Sequence, residues 1–235
     1  MRNISIVLLP LLAFCLAGCG KSYIYKYKIT VSIRDHGDLK TASNVVLVKE
    51  VSGIDHNPAR PVLCGEAVPV PLRNGMVVFA LLNGLPYPSV SGQYPWRSSP
   101  TWVLLNRLRL PTQWSYEDDT GLLELPKTRE SIKLLSYEMP EFVTFDDLAY
   151  PTTIKRIDPE HPESSLGEGV RFESVTLQAT DERITRGRVK SLLPWLSWWR
   201  EYLDESPQGD QVRGYKSLQF TNCDFPSRSW WLLNQ

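Results

Sequence analysis

Tyr23, Tyr25, Tyr27, Ile29, Val31 and Ile33 fall on one side of an extended chain, and Lys26, Lys28, Thr30, Ser32 and Arg34 fall on the other. Alternation with period two is the pattern of a half-buried β-strand, and only Ile24 interrupts it. Asp35-His36-Gly37-Asp38 reads as a turn, after which Val45 to Val51 is β-branched and apolar enough to return antiparallel. Glu66 to Leu72 and Met76 to Leu82 flank Arg73-Asn74-Gly75, and Asn-Gly between two apolar runs predicts a second hairpin. Pro69 and Pro71 share one face of its first arm. Proline has no N–H for a ladder, so this arm belongs at a sheet edge.

The pattern weakens between residues 86 and 126, where Trp102 to Leu110 reads as a strand among packed loops. Thr128 to Leu135 reads as a short helix, and Phe142 to Phe145, Thr153 to Ile157 and Val170 to Thr180 as further strands. Gly187 to Leu203 is the best helix, with Val189, Leu192, Leu193, Leu196, Trp199 and Leu203 recurring near helical period. Pro194 should kink or divide it. Strands dominate and no strand–helix–strand rhythm appears. The expectation is a mainly β, antiparallel sandwich-like domain over residues 23–235 with a C-terminal helix near 187–203, and α+β as the alternative.

The first residues carry a different signal. Arg2 is the only charge before Lys21, and residues 4–16 are almost wholly apolar. A positive start and a short apolar run make a secretory signal, too short for a span of roughly 20 residues. The run ends in Leu16-Ala17-Gly18-Cys19. These four residues resemble the lipobox of bacterial lipoproteins. The resemblance implies removal of residues 1–18 as signal peptide, lipid on Cys19, and a membrane-lipid partner through that anchor. Gly20, by analogy with sorting rules, favours the outer membrane. The ordinary alternative is a cleaved signal with a chance cysteine.

Residues 19–22 then form the anchor and its tether. Gly20, Lys21 and Ser22 are all that separate Cys19 from the first strand. Extended chain covers at most about 3.6 Å per residue, so the strand should begin within roughly 15 Å of the lipid. Tyr23 and Tyr25 would then meet headgroups, with Lys21, Lys26 and Lys28 available to anionic lipid. The alternative is that residues 23–27 fray and serve as tether themselves.

Charge changes the picture by exclusion. The chain has 26 basic and 26 acidic residues. No basic excess exists to condense on phosphates, which argues against nucleic acid. Four cysteines are present; Cys15 leaves with the signal and Cys19 takes the lipid. That leaves Cys64 and Cys223 for a single disulfide in an oxidising compartment, the alternative being two buried free thiols.

His36, His56 and His161 each follow an acid and sit in turn-like sequence without metal-ligand spacing, so solvated turns are expected and no metal or cofactor. No Gly-x-Ser-x-Gly elbow, calcium loop or dinucleotide fingerprint occurs. Carboxylates at 117–119, 146–147 and 158–168 suit turns and caps better than a catalytic pair. Leu192 to Trp199 reads as core under a sheet, with a Trp-rich interfacial segment as the alternative.

Tyr25-Lys26-Tyr27-Lys28-Ile29-Thr30-Val31, Gly65-Glu66-Ala67-Val68-Pro69-Val70, Phe79-Ala80-Leu81-Leu82 and Val143-Thr144-Phe145-Asp146-Asp147-Leu148 form a set with Ile154 to Pro159, Ile184-Thr185-Arg186-Gly187 and Leu193-Pro194-Trp195-Leu196. Together they resemble a group of small exported or membrane-anchored proteobacterial proteins whose activity is uncharacterised. The resemblance implies an envelope address and supplies no catalytic residue. The functional expectation is a non-enzymatic binding or structural module at the membrane surface with an envelope protein as partner. The alternative is a hydrolase of envelope glycan or peptide, which needs two acids, or an acid and a histidine, converging in one concave pocket.

Overall fold

The computed structural model describes residues 22–51, 62–84, 100–111, 119–197 and 221–222. It is mainly β. One antiparallel sheet has six strands in the order β10-β3-β2-β1-β9-β6. They are β1 (Ser22–Asp35), β2 (Asp38–Val51), β3 (Val62–Glu66), β6 (Ser131–Lys133), β9 (Val170–Ala179) and β10 (Thr221–Asn222). The second sheet has the order β4-β5-β7-β8, from β4 (Val68–Pro71), β5 (Val77–Gly84), β7 (Pro140–Phe145) and β8 (Ile154–Ile157). The mainly β expectation holds and the α+β alternative does not.

β1 is the spine. Tyr25, Tyr27, Ile29, Val31 and Ile33 are buried in alternation, and Ile24, the interruption in the pattern, is on the exposed side. Their facing partners include Val68, Val70, Val78, Ala80, Leu82 and Phe142, which fill the space between the two sheets. As expected from its prolines, β4 is an edge strand. Its hairpin closes through Leu72 N–H to the Met76 carbonyl at 2.8 Å, with Gly75 left-handed at φ 85°.

β3 and β4 are one extended stretch that changes sheets at Ala67. Asn44 holds the corner, donating from Nδ2 to the Ala67 carbonyl at 2.6 Å and the Glu66 carbonyl at 3.3 Å. Gly65 lets β3 pass close to β2, since a Cβ there would stand 2.9 Å from Val46 Cγ2.

The four-stranded sheet is buried on both faces. Val78, Ala80 and Leu82 turn to the six-stranded sheet, and Val77, Phe79 and Leu81 turn to a third layer. That layer is α4 (Arg188–Leu192) followed by a 3-10 turn at Pro194–Ser197, divided at the proline as expected. Val189, Leu193 and Trp195 are fully buried in it. Trp195 stacks edge-on to Phe145 at 5.7 Å, and its Nε1–H reaches the Leu148 carbonyl at 2.8 Å. Leu193 and Trp195 are therefore core, with Leu192 and Leu196 packed against them and Pro194 exposed; Trp198, Trp199 and the rest of the expected helix to 203 lie outside the described residues.

Two elements differ from expectation. Trp102 to Leu110 is not a strand: α1 (Pro100–Arg107) occupies most of it, with Thr101 and Val103 to Leu105 buried. Consecutive burial is a helix docked along its length, and Pro100 suits a first helical turn. Thr128 to Leu135 is not a helix. Its centre is β6, which pairs Ser131 to Lys133 with Gln178 to Thr176, so an open sheet edge overrides local preference. The helices α2 (Thr120–Glu124) and α3 (Glu163–Leu166) complete the described elements of this class.

Candidate functional site

Among the described residues, the turn between β1 and β2 brings an acid and a histidine to the edge of a cleft. Its two central residues, His36 at φ 50° and Gly37 at φ 92°, are both left-handed, as a two-residue hairpin of this twist requires. Asp35 is buried at 1 % exposure. Its Oδ1 lies 2.8 Å from His36 Nδ1, and its Oδ2 accepts the Arg73 N–H at 2.6 Å. The His36 contact, then the Arg73 amide, hold its carboxyl below the usual range. A carboxylate at Nδ1 favours the proton there, which leaves Nε2 as an acceptor.

The imidazole lies against Gly169. A Cβ at 169 would stand 3.0 Å from His36 Cδ2 and 3.2 Å from Nε2, and Gly169 has φ 80° besides. The His36 N–H also donates to the Gly169 carbonyl at 2.9 Å. Beside the ring is an open cleft of about 630 Å³, lined among others by Arg34, Glu163, Glu168 and Arg171.

Arg34 and Arg171 are cross-strand neighbours. The ladder slips between Ser32 and Ile33, so Glu173 has no partner of its own and swings onto the arginine side. Its Oε2 lies 3.1 Å from Arg34 Nε and 3.8 Å from Arg171 Nε, and Arg34 holds that carboxyl low. The arrangement offers two guanidinium groups, two carboxylates and one oriented imidazole to a polar ligand. None of the described residues that line it carries a hydroxyl or thiol nucleophile.

The remaining expected residues scatter. His161 is exposed in a turn, 3.6 Å from Glu163, and His56 lies outside the described residues. Asp147 and Asp158 accept the amides of Ala149 and Glu160 in their own turns, as the turn-and-cap reading requires. Among the described residues no group of three or more metal-binding side chains occurs, and no helix is long and apolar enough to cross a membrane.

Cys64 is buried with Arg186 Nη2 3.8 Å from its sulfur; Cys223, Cys19 and Lys21 lie outside the described residues. Residues 23–28 do not fray, for each pairs with β2 from Tyr23 opposite Glu50 to Lys28 opposite Val45. Their side chains are less available than a headgroup contact needs. Tyr25 is buried. Lys26 Nζ donates to the carbonyls of Asp181 and Glu182, and Lys28 pairs with the Glu182 carboxylate at 2.9 Å.

At this end of β1 lies a second polar cluster that the sequence reading passed over. Tyr23 O–H donates to Asp119. Tyr25 O–H meets Thr101 Oγ1 at 2.7 Å, and Thr101 in turn donates to Glu50 Oε1. Glu50 is 2 % exposed, and its Oε2 has no hydrogen-bond partner. Burial pushes its carboxyl up to about 7, against the lowering effect of Thr101. The legible signal was an acid continuing the inward alternation of Val46 and Val48.

Glu66, also missed, is 2 % exposed. It accepts the N–H groups of Arg188 at 3.0 Å and Val189 at 3.3 Å. It thereby fastens the first turn of α4 to the corner between the sheets.

No protein-family model matches this chain, and neither the curated proteins nor the solved structures contain a match.

Proposed function

We propose that this chain is a bacterial envelope lipoprotein, cut before Cys19 and held on a membrane by lipid on that cysteine. In this reading its β domain is a non-enzymatic binding module, facing the periplasm on the outer membrane. The observation that carries the reading is the start of β1. Pairing with β2 begins at Ser22, three residues after the cysteine of the lipobox, so the domain has almost no slack from its anchor. Mass spectrometry of the mature protein is expected to show a diacylated N-terminal cysteine. A soluble, unmodified product cut elsewhere overturns the proposal. Inserting ten Gly/Ser residues after Ser22 is expected to impair function where the short tether matters.

The hydrolase alternative has one observation in its favour: His36, backed by Asp35, shares a cleft with Glu163 and Glu168. Turnover of envelope glycan or peptide by the purified chain, abolished in His36→Ala, would establish it. The binding reading is preferred because it requires no catalytic group; the described lining of that cleft carries no hydroxyl or thiol, so a hydrolase would have to work through Glu163 or Glu168.

A further inference from the structure

Glu50 is an anomaly on physical grounds. A buried carboxylate normally has a cation or several N–H donors around it. Here one oxygen takes a hydrogen bond from Thr101 and the other has nothing. Thr101 belongs to the first turn of α1, and Glu50 sits on β2, so the bond spans helix and sheet. The same helix buries Val103, Leu104 and Leu105 in the core between the sheets.

We propose that Glu50 is a proton-controlled latch on α1: protonated, it lets the helix stay docked; ionised, it drives the helix end off the sheet so that water can reach the carboxylate. Among the described residues, the titratable and charged groups that face it give no counter-charge. From β1 come Tyr25, at the far end of the hydrogen-bond chain, and Tyr23, which is opposite in register and bonded to Asp119. Burial and Glu50 itself hold the Tyr25 phenol well above its ordinary value, so it stays neutral. Lys49 projects to the other side of β2, and α1 contributes the neutral Thr101.

The sign follows from linkage. A carboxyl whose folded value lies above its unfolded one adds stability at low pH and loses it as pH rises through the folded value. With a folded value of about 7 and an ordinary glutamate when open, closure should weaken by about 30-fold between pH 5.5 and 8.5.

Hydrogen exchange of the full chain, corrected for intrinsic rates, tests this on the amides of 103–107. The expected result is a fall in protection of that size in the wild type and a flat profile in Glu50→Gln. A flat wild-type profile, or an unchanged fall in Glu50→Gln, overturns the proposal. Should Glu50→Gln fail to fold, the carboxyl ¹³C shift of Glu50 in the wild type decides. A midpoint between 6 and 8 supports the latch, and one below about 5 sinks it, because a carboxylate already charged at pH 5 cannot switch above it.

Discussion

Asn222 stands opposite Gly65 in the antiparallel ladder of β10 and β3, one residue from Cys64. Cys64 is buried in β3, and Cys223 is the second cysteine that would remain in an exported chain. We therefore predict a Cys64–Cys223 bridge. Alkylation of the denatured, unreduced chain should label neither cysteine, and reduction should expose both. Cys223→Ser should cost up to about 4 kcal/mol in urea unfolding, as for other bridges closing loops above about 100 residues. A freely labelled thiol at either position removes the bridge.

Glu66→Ala leaves the buried Val189 amide and the part-buried Arg188 amide at the start of α4 without an acceptor. Each such loss costs about 1–3 kcal/mol, so a destabilisation of roughly 2–4 kcal/mol is expected in urea. Glu66→Gln keeps an acceptor oxygen and should lose less than half as much. Equal losses in the two variants would show that the carboxylate's packing or charge, not its acceptor role, matters.

Asp35 sets the acid limit of the hairpin end. Its folded carboxyl is held low by His36 and the Arg73 amide, so its contribution is complete above the ordinary aspartate range and disappears as pH falls through the folded value. Thermal midpoints between pH 2 and 5 should fall more steeply in the wild type than in Asp35→Asn. Parallel curves would refute the linkage.

Gly169→Ala tests how the cleft positions its imidazole. The added methyl both meets His36 Cδ2 at 3.0 Å and forces a side chain into a left-handed backbone. About 1–2 kcal/mol of destabilisation is expected, with a displaced His36 ring seen in its ¹H–¹⁵N long-range spectrum. An unmoved ring would mean that the loop, not the histidine, yields.

What the sequence disclosed was what repeats. β1 was legible because its apolar residues alternate over twelve positions, and β4 because proline has only a few places in a sheet. β5 was legible as a strand but not as one buried twice: Val77 to Leu82 is continuously apolar, and only the third layer shows which residues face which core. α1 was misread because Val103-Leu104-Leu105 carries no period of its own until the core receives it. Glu66 and Asn44 carried no signal in the sequence, and Glu50 carried only its place on the inward face of β2. Each is an ordinary polar residue in sequence, and each acquires its role from a partner 22 to 123 residues away. The cleft was half legible: Asp35-His36-Gly37 announced a turn, but Gly169, Arg171 and Glu168 arrive from another strand and its approach.

β1 runs unbroken from Ser22 to Asp35, a rise of about 43 Å at roughly 3.3 Å per residue. One end stands three residues from Cys19; the other turns directly into His36. With the cysteine lipidated, the molecule becomes a stiff arm pivoting on the bilayer, and its tip sweeps a shell no more than roughly 55 Å deep. A ligand seated at His36 is then sought in a thin sheet of volume rather than throughout the compartment. Confinement of that kind raises the encounter rate with surface-bound targets without a single added contact. The same strand that orders the core would in this way decide how far from the membrane the protein can reach.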